Sequence, residues 1–267
     1  MTVIKKLFAS RFSYYILIIY SALFSWWIFL QIDGVGTSKA YFFNWSYGLV
    51  GVSASIYGLY VSYKRWGGYR SLMGRALIFL SLGLFMQWLG LQVWSYYNII
   101  LRVEVPYPSL ADIGYFGLVP LYSIAAYQVA VAAGLKISLR SLESKILILL
   151  IPAIALIFSY WLFLKDIGFD LNDPIKTFFD IAYPLGEIIP VSIAIVTLTL
   201  SRNILSGSMK KRVWYLAFAF SVQFFTEYLF LYRAGEGTYV NGGFTDLMYL
   251  TSYFIMALGL VYFRSYD

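Results

Sequence analysis

Long apolar blocks alternate with short polar segments along the whole chain, and this pattern predicts a bundle of transmembrane helices. Each block is close to the roughly 20 residues that a helix needs to cross about 30 Å of hydrocarbon. The blocks are apolar on nearly every face, whereas strands of a membrane barrel alternate apolar and polar residues. Eight spans are expected, at residues 12–31, 46–63, 76–100, 113–134, 146–164, 179–200, 213–231 and 247–263.

The composition agrees with a membrane protein. Hydrophobic residues make up 61% of the chain and charged residues 12%, against roughly 45–50% and about 25% in soluble domains. Cysteine and histidine are both absent, which removes disulfides, thiolate metal sites and histidine-ligated haem. We therefore expect an all-α integral membrane protein that needs no cofactor and binds no metal.

The basic residues are distributed unequally between the two sides of the expected bundle. Fifteen of the twenty lysines and arginines fall on the side that holds both termini. Because basic loops stay in the cytoplasm, this predicts a multi-pass protein of the plasma membrane with both termini cytoplasmic. Cations in short loops beside an anionic leaflet favour membrane lipid as their partner, and nucleic acid is not expected.

A polar residue followed three positions later by tyrosine recurs at each span that runs inward. The pairs are Asn44 with Tyr47, Asp112 with Tyr115, Asp180 with Tyr183, and Asp246 with Tyr249. The intervals from 44 to 112, from 112 to 180 and from 180 to 246 are 68, 68 and 66 residues. A fixed period indicates a repeated unit. We therefore expect one transmembrane domain, 1–267, built from four parallel helical hairpins at approximately 1–68, 69–136, 137–205 and 206–267.

The acidic residues of this motif have two interpretations. An Asp in the first turn of a helix can accept hydrogen bonds from free N–H groups and favours the positive end of the helix dipole. Residues 108–112 also read as a capping box preceded by proline. Alternatively, these side chains converge in a ligand-binding cavity. The candidate binding residues are Asp112, Tyr115, Asp180, Tyr183, Glu187, Glu227, Arg233 and Asp246.

Two glutamates fall within expected spans. An ionisable side chain is costly at membrane depth, so each is expected to face the bundle interior or a water-filled cavity. Glu187 lies between Pro184 and Pro190, which weaken the helix locally and free carbonyls that could line a site. Glu227 lies near the outer end of its span, and an ion pair of Arg233 with either glutamate is one expected arrangement.

Aromatic residues form 21% of the chain, and they too have two interpretations. Many lie near span ends, which is typical of an interfacial aromatic belt. Others could line an outer cavity that holds an apolar or cationic ligand. Gln87 and Gln92 of the third span are expected to form hydrogen bonds between helices.

Three ordered motifs resemble the membrane-integral sensory region that precedes diguanylate cyclase, cyclic-di-GMP phosphodiesterase or histidine kinase domains. They are W-S-Y-Y with P-Y-P-S-L-A-D-I-G-Y at 94–97 and 106–115, D-I-A-Y-P-L-G-E at 180–187, and G-T-Y-V-N-G-G-F-T-D at 237–246. The resemblance covers roughly residues 75 to 263. It implies a multi-spanning sensory or ligand-binding module.

No output domain follows the last span in this sequence, so signalling is expected to need a separate cytoplasmic protein. The leading hypothesis is a non-enzymatic sensor or accessory module with an outward-facing, acidic and aromatic cavity for an unknown small ligand. The alternative is a small transporter or proton-coupled carrier that uses Glu187 beside its prolines. A membrane enzyme resting on Asp112, Asp180 and Asp246, with a divalent cation, is a third possibility that the repeat disfavours.

Overall fold

The computed structural model describes residues 10–134, 142–166, 172–200 and 207–264. Over these residues the chain is helical and contains no strand. The long helices are α1 Arg11–Asp33, α2 Ser38–Arg65, α3 Leu72–Ser95, α4 Ala111–Ala132, α5 Leu142–Leu162, α6 Pro174–Leu200, α7 Gly207–Gly235 and α8 Phe244–Tyr262. A π-helical turn, Tyr96–Leu101, extends α3.

Seven of these helices are long and apolar enough to cross a membrane, so the prediction of a multi-spanning helical protein is confirmed at this level. The exception is α2, which reaches 28 residues but is less apolar. Its interior carries Gly48, Gly51 and Gly58, which lower its hydropathy and let neighbouring helices approach closely.

Two helices begin earlier than the apolar pattern indicated. Helix α2 starts at Ser38 and α6 at Pro174, so Asn44 and Asp180 lie inside helices and not at their first turns. The capping interpretation is therefore wrong for these two residues. At α6 the backbone N–H of Lys176 donates instead to Asp173 Oδ1 at 3.0 Å.

Six helices form a closed ring in which α2, α3, α4, α6, α7 and α8 each pack against the next, and α8 returns to α2. Helix α1 packs on the outside against α2 and α8, and α5 packs against α6. Only 17% of the most apolar window of α1 and 6% of that of α5 is buried. These two helices therefore present apolar side chains outward, where lipid would contact them.

Small residues bring part of the ring into close contact. A Cβ atom on Gly114 of α4 would overlap the backbone of Gly90 on α3. Similarly, a Cβ atom on Gly58 of α2 would overlap the hydroxyl of Ser81 on α3. Such approaches are how membrane helices gain packing contacts without a hydrophobic driving force between them.

The ends of the helices form two distinct faces. At one end, here called the cavity face, the connections 34–37 and 236–243 meet through a 2.8 Å hydrogen bond from the N–H of Gly36 to the carbonyl of Asn241. At the opposite end, here called the basic face, the indole N–H of Trp66 donates to the carbonyl of Phe263 at 2.8 Å. There Arg264 Nη1 also donates to Ser10 Oγ at 3.0 Å, which ties the last described residues to the start of α1.

Candidate functional site

A cavity of about 1710 Å³ opens at the cavity face, inside the ring of six helices. All six ring helices contribute lining residues, together with the segments 98–109 and 236–241. Its size exceeds the roughly 300–1,000 Å³ that is usual for small-molecule sites, so a ligand would fill one region of it.

Five of the eight residues proposed from the sequence line this cavity: Asp112, Tyr115, Asp180, Tyr183 and Glu227. The other three, Glu187, Arg233 and Asp246, are not among its lining residues. Glu187 and Asp246 are buried behind the wall, and Arg233 is half-buried near the end of α7.

The carboxylate of Glu227, on α7, accepts three side-chain hydrogen bonds in the cavity wall. It accepts from Gln87 Nε2 of α3 at 3.1 Å and from Gln223 Nε2 at 2.7 Å. It also accepts from the hydroxyl of Tyr249 on α8 at 2.7 Å. These three donors satisfy both oxygens of the carboxylate at a desolvated position.

The donors to Glu227 are themselves held by further hydrogen bonds. Gln87 Oε1 accepts from the hydroxyl of Tyr122 on α4 at 3.3 Å, and Gln223 Oε1 accepts from the hydroxyl of Ser252 on α8. This cluster, here called the Glu227 network, joins α3, α4, α7 and α8. Gln87 thus forms the interhelical hydrogen bonds expected of it.

Arg233 forms no ion pair with Glu227 or Glu187 among the described residues, so that expectation is wrong. The neutral donors of the Glu227 network occupy the acceptor positions of the Glu227 carboxylate. The backbone carbonyl of Arg233 accepts from the N–H groups of Thr238 and Tyr239 at 2.8 and 3.0 Å, which ends α7.

Asp112 both caps a helix and joins two helices. Its Oδ2 accepts from the N–H of Ser109 at 2.6 Å, as in the expected capping box. Its Oδ1 accepts from the hydroxyl of Tyr183 on α6 at 2.5 Å. Asp112 is only 6% exposed, so its two roles place a desolvated carboxylate in the wall between α4 and α6.

Asp180 lies at the rim of the cavity and is half-buried. It accepts from Lys176 Nζ at 2.6 Å and from the hydroxyl of Tyr107 at 2.9 Å. Burial, and after it the hydrogen bond to Asp180, raises the pKa of Tyr107 above its ordinary value. Tyr107 therefore remains a hydrogen-bond donor that joins the segment after α3 to α6.

Asp246 organises the connection before α8. Its carboxylate accepts from the N–H of Gly242 at 2.6 Å and from the hydroxyl of Tyr239 at 2.9 Å. Burial, and after it the charge of Asp246, raises the pKa of Tyr239 well above its ordinary value. Asp246 thus has the cap-like role that its position suggested. Tyr239, which lines the cavity, connects this carboxylate to the cavity wall.

Glu187 lies about 20 Å along α6 from its first residue, because the helix rises about 1.5 Å per residue. It is 4% exposed and accepts no hydrogen bond from any side chain that the structure describes. The carbonyl of Pro184 accepts from the hydroxyl of Tyr228 at 2.8 Å. That carbonyl is therefore engaged within the bundle.

Sequence reasoning missed part of the site. Asn44 and Tyr47, on α2, line the cavity, as do Phe230 and Tyr239. The repeat pattern marked Asn44 and Tyr47, and the third sequence motif contains Tyr239, so each had a signal that could have placed it in the site. Phe230 had none, because nothing in an apolar helix distinguishes a cavity-facing Phe from a lipid-facing one.

The described residues define a multi-spanning helical bundle with a large cavity at one face. No protein-family model, no curated protein and no solved structure matches the chain. Within the described residues, no three acidic side chains are grouped so that they could hold a metal ion.

Proposed function

We propose that this protein is a non-enzymatic, sensor-like membrane module whose cavity binds a small ligand and whose basic face acts on a separate cytoplasmic protein. The observation that carries the proposal is the Glu227 network, which borders the cavity and joins four ring helices. A ligand that contacts Glu227 or Tyr249 would compete with bonds between helices, so its binding would alter helix packing.

We place the cavity face outside the plasma membrane and both termini in the cytoplasm. By the sequence pattern, fifteen of the twenty basic residues fall on the side that holds both termini, and described members of this set such as Lys64, Arg65, Lys210 and Lys211 lie at helix ends opposite the cavity, which supports this orientation through the positive-inside rule. The same residues would hold the basic face against the anionic inner leaflet. A cytoplasmic partner would therefore bind a positively charged surface.

Helix α8 connects the two faces. It carries Tyr249 at the cavity and Tyr262 at the basic face, and its 19 residues correspond to about 28 Å of helix. The guanidinium of Arg212 lies 5.5 Å from the ring centre of Trp66 and donates from Nε to the carbonyl of Tyr262 at 3.5 Å. Movement of α8 at the cavity would therefore reach the Arg212 and Trp66 pair.

We interpret the bundle as four parallel hairpins, α1–α2, α3–α4, α5–α6 and α7–α8. Contacts between hairpins that are neighbours in the ring support this interpretation. Tyr183 of the third hairpin donates to Asp112 of the second, and Asn44 of the first donates from Nδ2 to Asn241 Oδ1 of the fourth at 3.0 Å. The second and third hairpins thus share a polar contact between their inward helices, and the first contacts the connection before α8 at the cavity face.

Co-purification from native membranes tests the proposed signalling role. Lys210 and Lys211 begin α7 at the basic face, whereas Arg212 is 5% exposed and structural. The double variant Lys210→Gln with Lys211→Gln should therefore lose a partner that the wild type recovers, and Glu227→Gln should change its recovery. Identical protein recovery from all three, measured by quantitative mass spectrometry, would contradict the proposal.

A proton-coupled carrier is the second candidate, and the unpartnered, buried Glu187 is the observation that favours it. A carboxyl without a fixed donor can bind and release a proton during a transport cycle. In proteoliposomes with a trapped pH dye, a carrier would move protons and Glu187→Gln would abolish that flux. Binding without flux in the wild type would leave the sensor as the better account.

A further inference from the structure

We propose that the ligand is an organic cation, with an ammonium group bound beside Glu227 and an apolar body held by the tyrosine and phenylalanine rings. This inference rests on the proposed ligand-binding function and adds the chemical class of the ligand. Three properties of the cavity carry it: the charge of the wall, the rings that surround Glu227, and a buried acceptor that has no donor.

The charge of the wall favours a cation. The described lining residues include five carboxylates, from Glu104, Asp112, Asp180, Glu227 and Glu236, against the two cations Arg102 and Lys176. Lys176 is paired with Asp180 at 2.6 Å, and Arg102 lies exposed on the segment after α3. Asp112 and Glu227 therefore have no basic lining residue beside them in the described wall, and an anionic ligand would be repelled.

The rings around Glu227 suit an ammonium that carries an apolar group. Tyr249, which donates to Glu227, lies with its ring 6.5 Å from the parallel ring of Tyr47 and 6.1 Å from the edge-on ring of Phe230. Aromatic faces attract cations through their quadrupole, and they attract them more strongly where water is excluded. A carboxylate bordered by such rings is how proteins commonly hold amines and quaternary ammonium groups.

An independent observation comes from α2. Asn44 lines the cavity and is 0% exposed. Its Nδ2 donates to Asn241, but its Oδ1 has no donor among the described residues. Because a buried acceptor is normally paired, this oxygen points to a ligand that supplies an N–H or O–H group.

A matched series of small probes tests the ligand class in the full chain reconstituted in nanodiscs. Phenethylammonium, phenethyl alcohol and hydrocinnamate share one aromatic body and differ in charge. Binding is measured by titration calorimetry, with empty nanodiscs to subtract partitioning into lipid. We expect the cation to bind at least about tenfold more tightly than the alcohol, and the anion to bind most weakly.

Two variants test whether Glu227 is the residue that gives the preference for the cation. Glu227→Gln should reduce the preference for the cation over the alcohol to near unity, whereas Asp33→Asn, which removes the same formal charge from an exposed position outside the cavity lining, should leave it nearly unchanged. Added salt should weaken binding of the cation to the wild type and leave the alcohol unaffected. The salt dependence is measured on the wild type, so it tests the proposal even if Glu227→Gln does not fold.

Several outcomes would overturn the assignment. Equal or tighter binding of the alcohol or the anion would show that the cavity takes another ligand class, while leaving a ligand-binding cavity intact. No binding of any probe up to about 10 mM would also overturn it. The co-purification experiment uses none of these probes, so failure of the ligand class and failure of the signalling role are distinguishable.

Discussion

The hydroxyl of Tyr249 donates a 2.7 Å hydrogen bond to Glu227 Oε2, and this bond ties the cavity end of α8 to α7. Both residues line the cavity. The contact is therefore part of the fold and part of the proposed binding site at once. A ligand that approaches Glu227 must share the carboxylate with Tyr249. The weakened contact between Tyr249 and Glu227 would let α8 move, and α8 extends to the basic face.

The first prediction concerns Tyr249→Phe. Removing the hydroxyl takes one donor from a charged acceptor, so the free energy of unfolding should fall by about 1.5–3 kcal/mol. Thermal unfolding in detergent measures the change. Tyr160→Phe is the matched control, because Tyr160 is exposed on α5 and its hydroxyl has no hydrogen bond among the described residues. Equal effects of the two variants would contradict a role for the Tyr249 contact.

The second prediction concerns the pair of Tyr183 and Asp112. The 2.5 Å bond between them is charge-assisted, so a double-mutant cycle of Tyr183→Phe and Asp112→Ala should show a coupling energy of about 1–3 kcal/mol. Unfolding in denaturant supplies the four stabilities. Strict additivity of the two substitutions would mean that the contact does not join α4 to α6.

The third prediction concerns the close approach of α3 and α4. Gly114→Ala would place a Cβ against the backbone of Gly90, so the helices must separate and stability should fall by about 1–3 kcal/mol. Gly235→Ala adds the same methyl where no atom lies within 4 Å, and it should be neutral or slightly stabilising. Elution of a monodisperse protein after heating distinguishes the two; equal recovery would contradict the packing argument.

The fourth prediction concerns high pH. The pKa of Tyr239 in the folded protein lies above its ordinary value of 10.0, because burial and the Asp246 carboxylate disfavour the phenolate. The contribution of the neutral phenol is therefore fully present below about pH 10 and is lost as the pH rises through the folded pKa. Between neutral pH and about pH 11, the wild type should lose more stability than Tyr239→Phe. Equal losses of stability in the wild type and in Tyr239→Phe would contradict a contribution from the neutral phenol of Tyr239.

Much of the fold followed from the sequence, because helix length and apolar content are both set by the bilayer. Each expected span overlaps one helix. The helix starts were less predictable, since α2 and α6 continue beyond the apolar block into polar residues at the cavity face. For that reason Asn44 and Asp180 looked like caps when they are interior positions that contact neighbouring segments.

The site was predictable only in part. The acidic and tyrosine positions of the repeat marked Asp112, Tyr115, Asp180 and Tyr183, and these do line the cavity. Gln87 was not predictable as a partner of Glu227, because it is 140 residues away in the chain and comes into contact only through the closing of the ring. The same closing left Arg233 outside the wall, although it lies only six positions after Glu227 on α7.

Thiol labelling tests the central claim, an outward-opening cavity that binds a ligand, most directly. The natural chain has no cysteine, so Ala234→Cys in the cavity lining and Tyr69→Cys at the basic face each introduce a single reactive site. With a membrane-impermeant maleimide on intact cells, Ala234→Cys should be labelled, and saturating phenethylammonium should protect it. Tyr69→Cys should react only after permeabilisation. The reverse pattern of labelling, or unchanged labelling of Ala234→Cys with the probe present, would contradict the account.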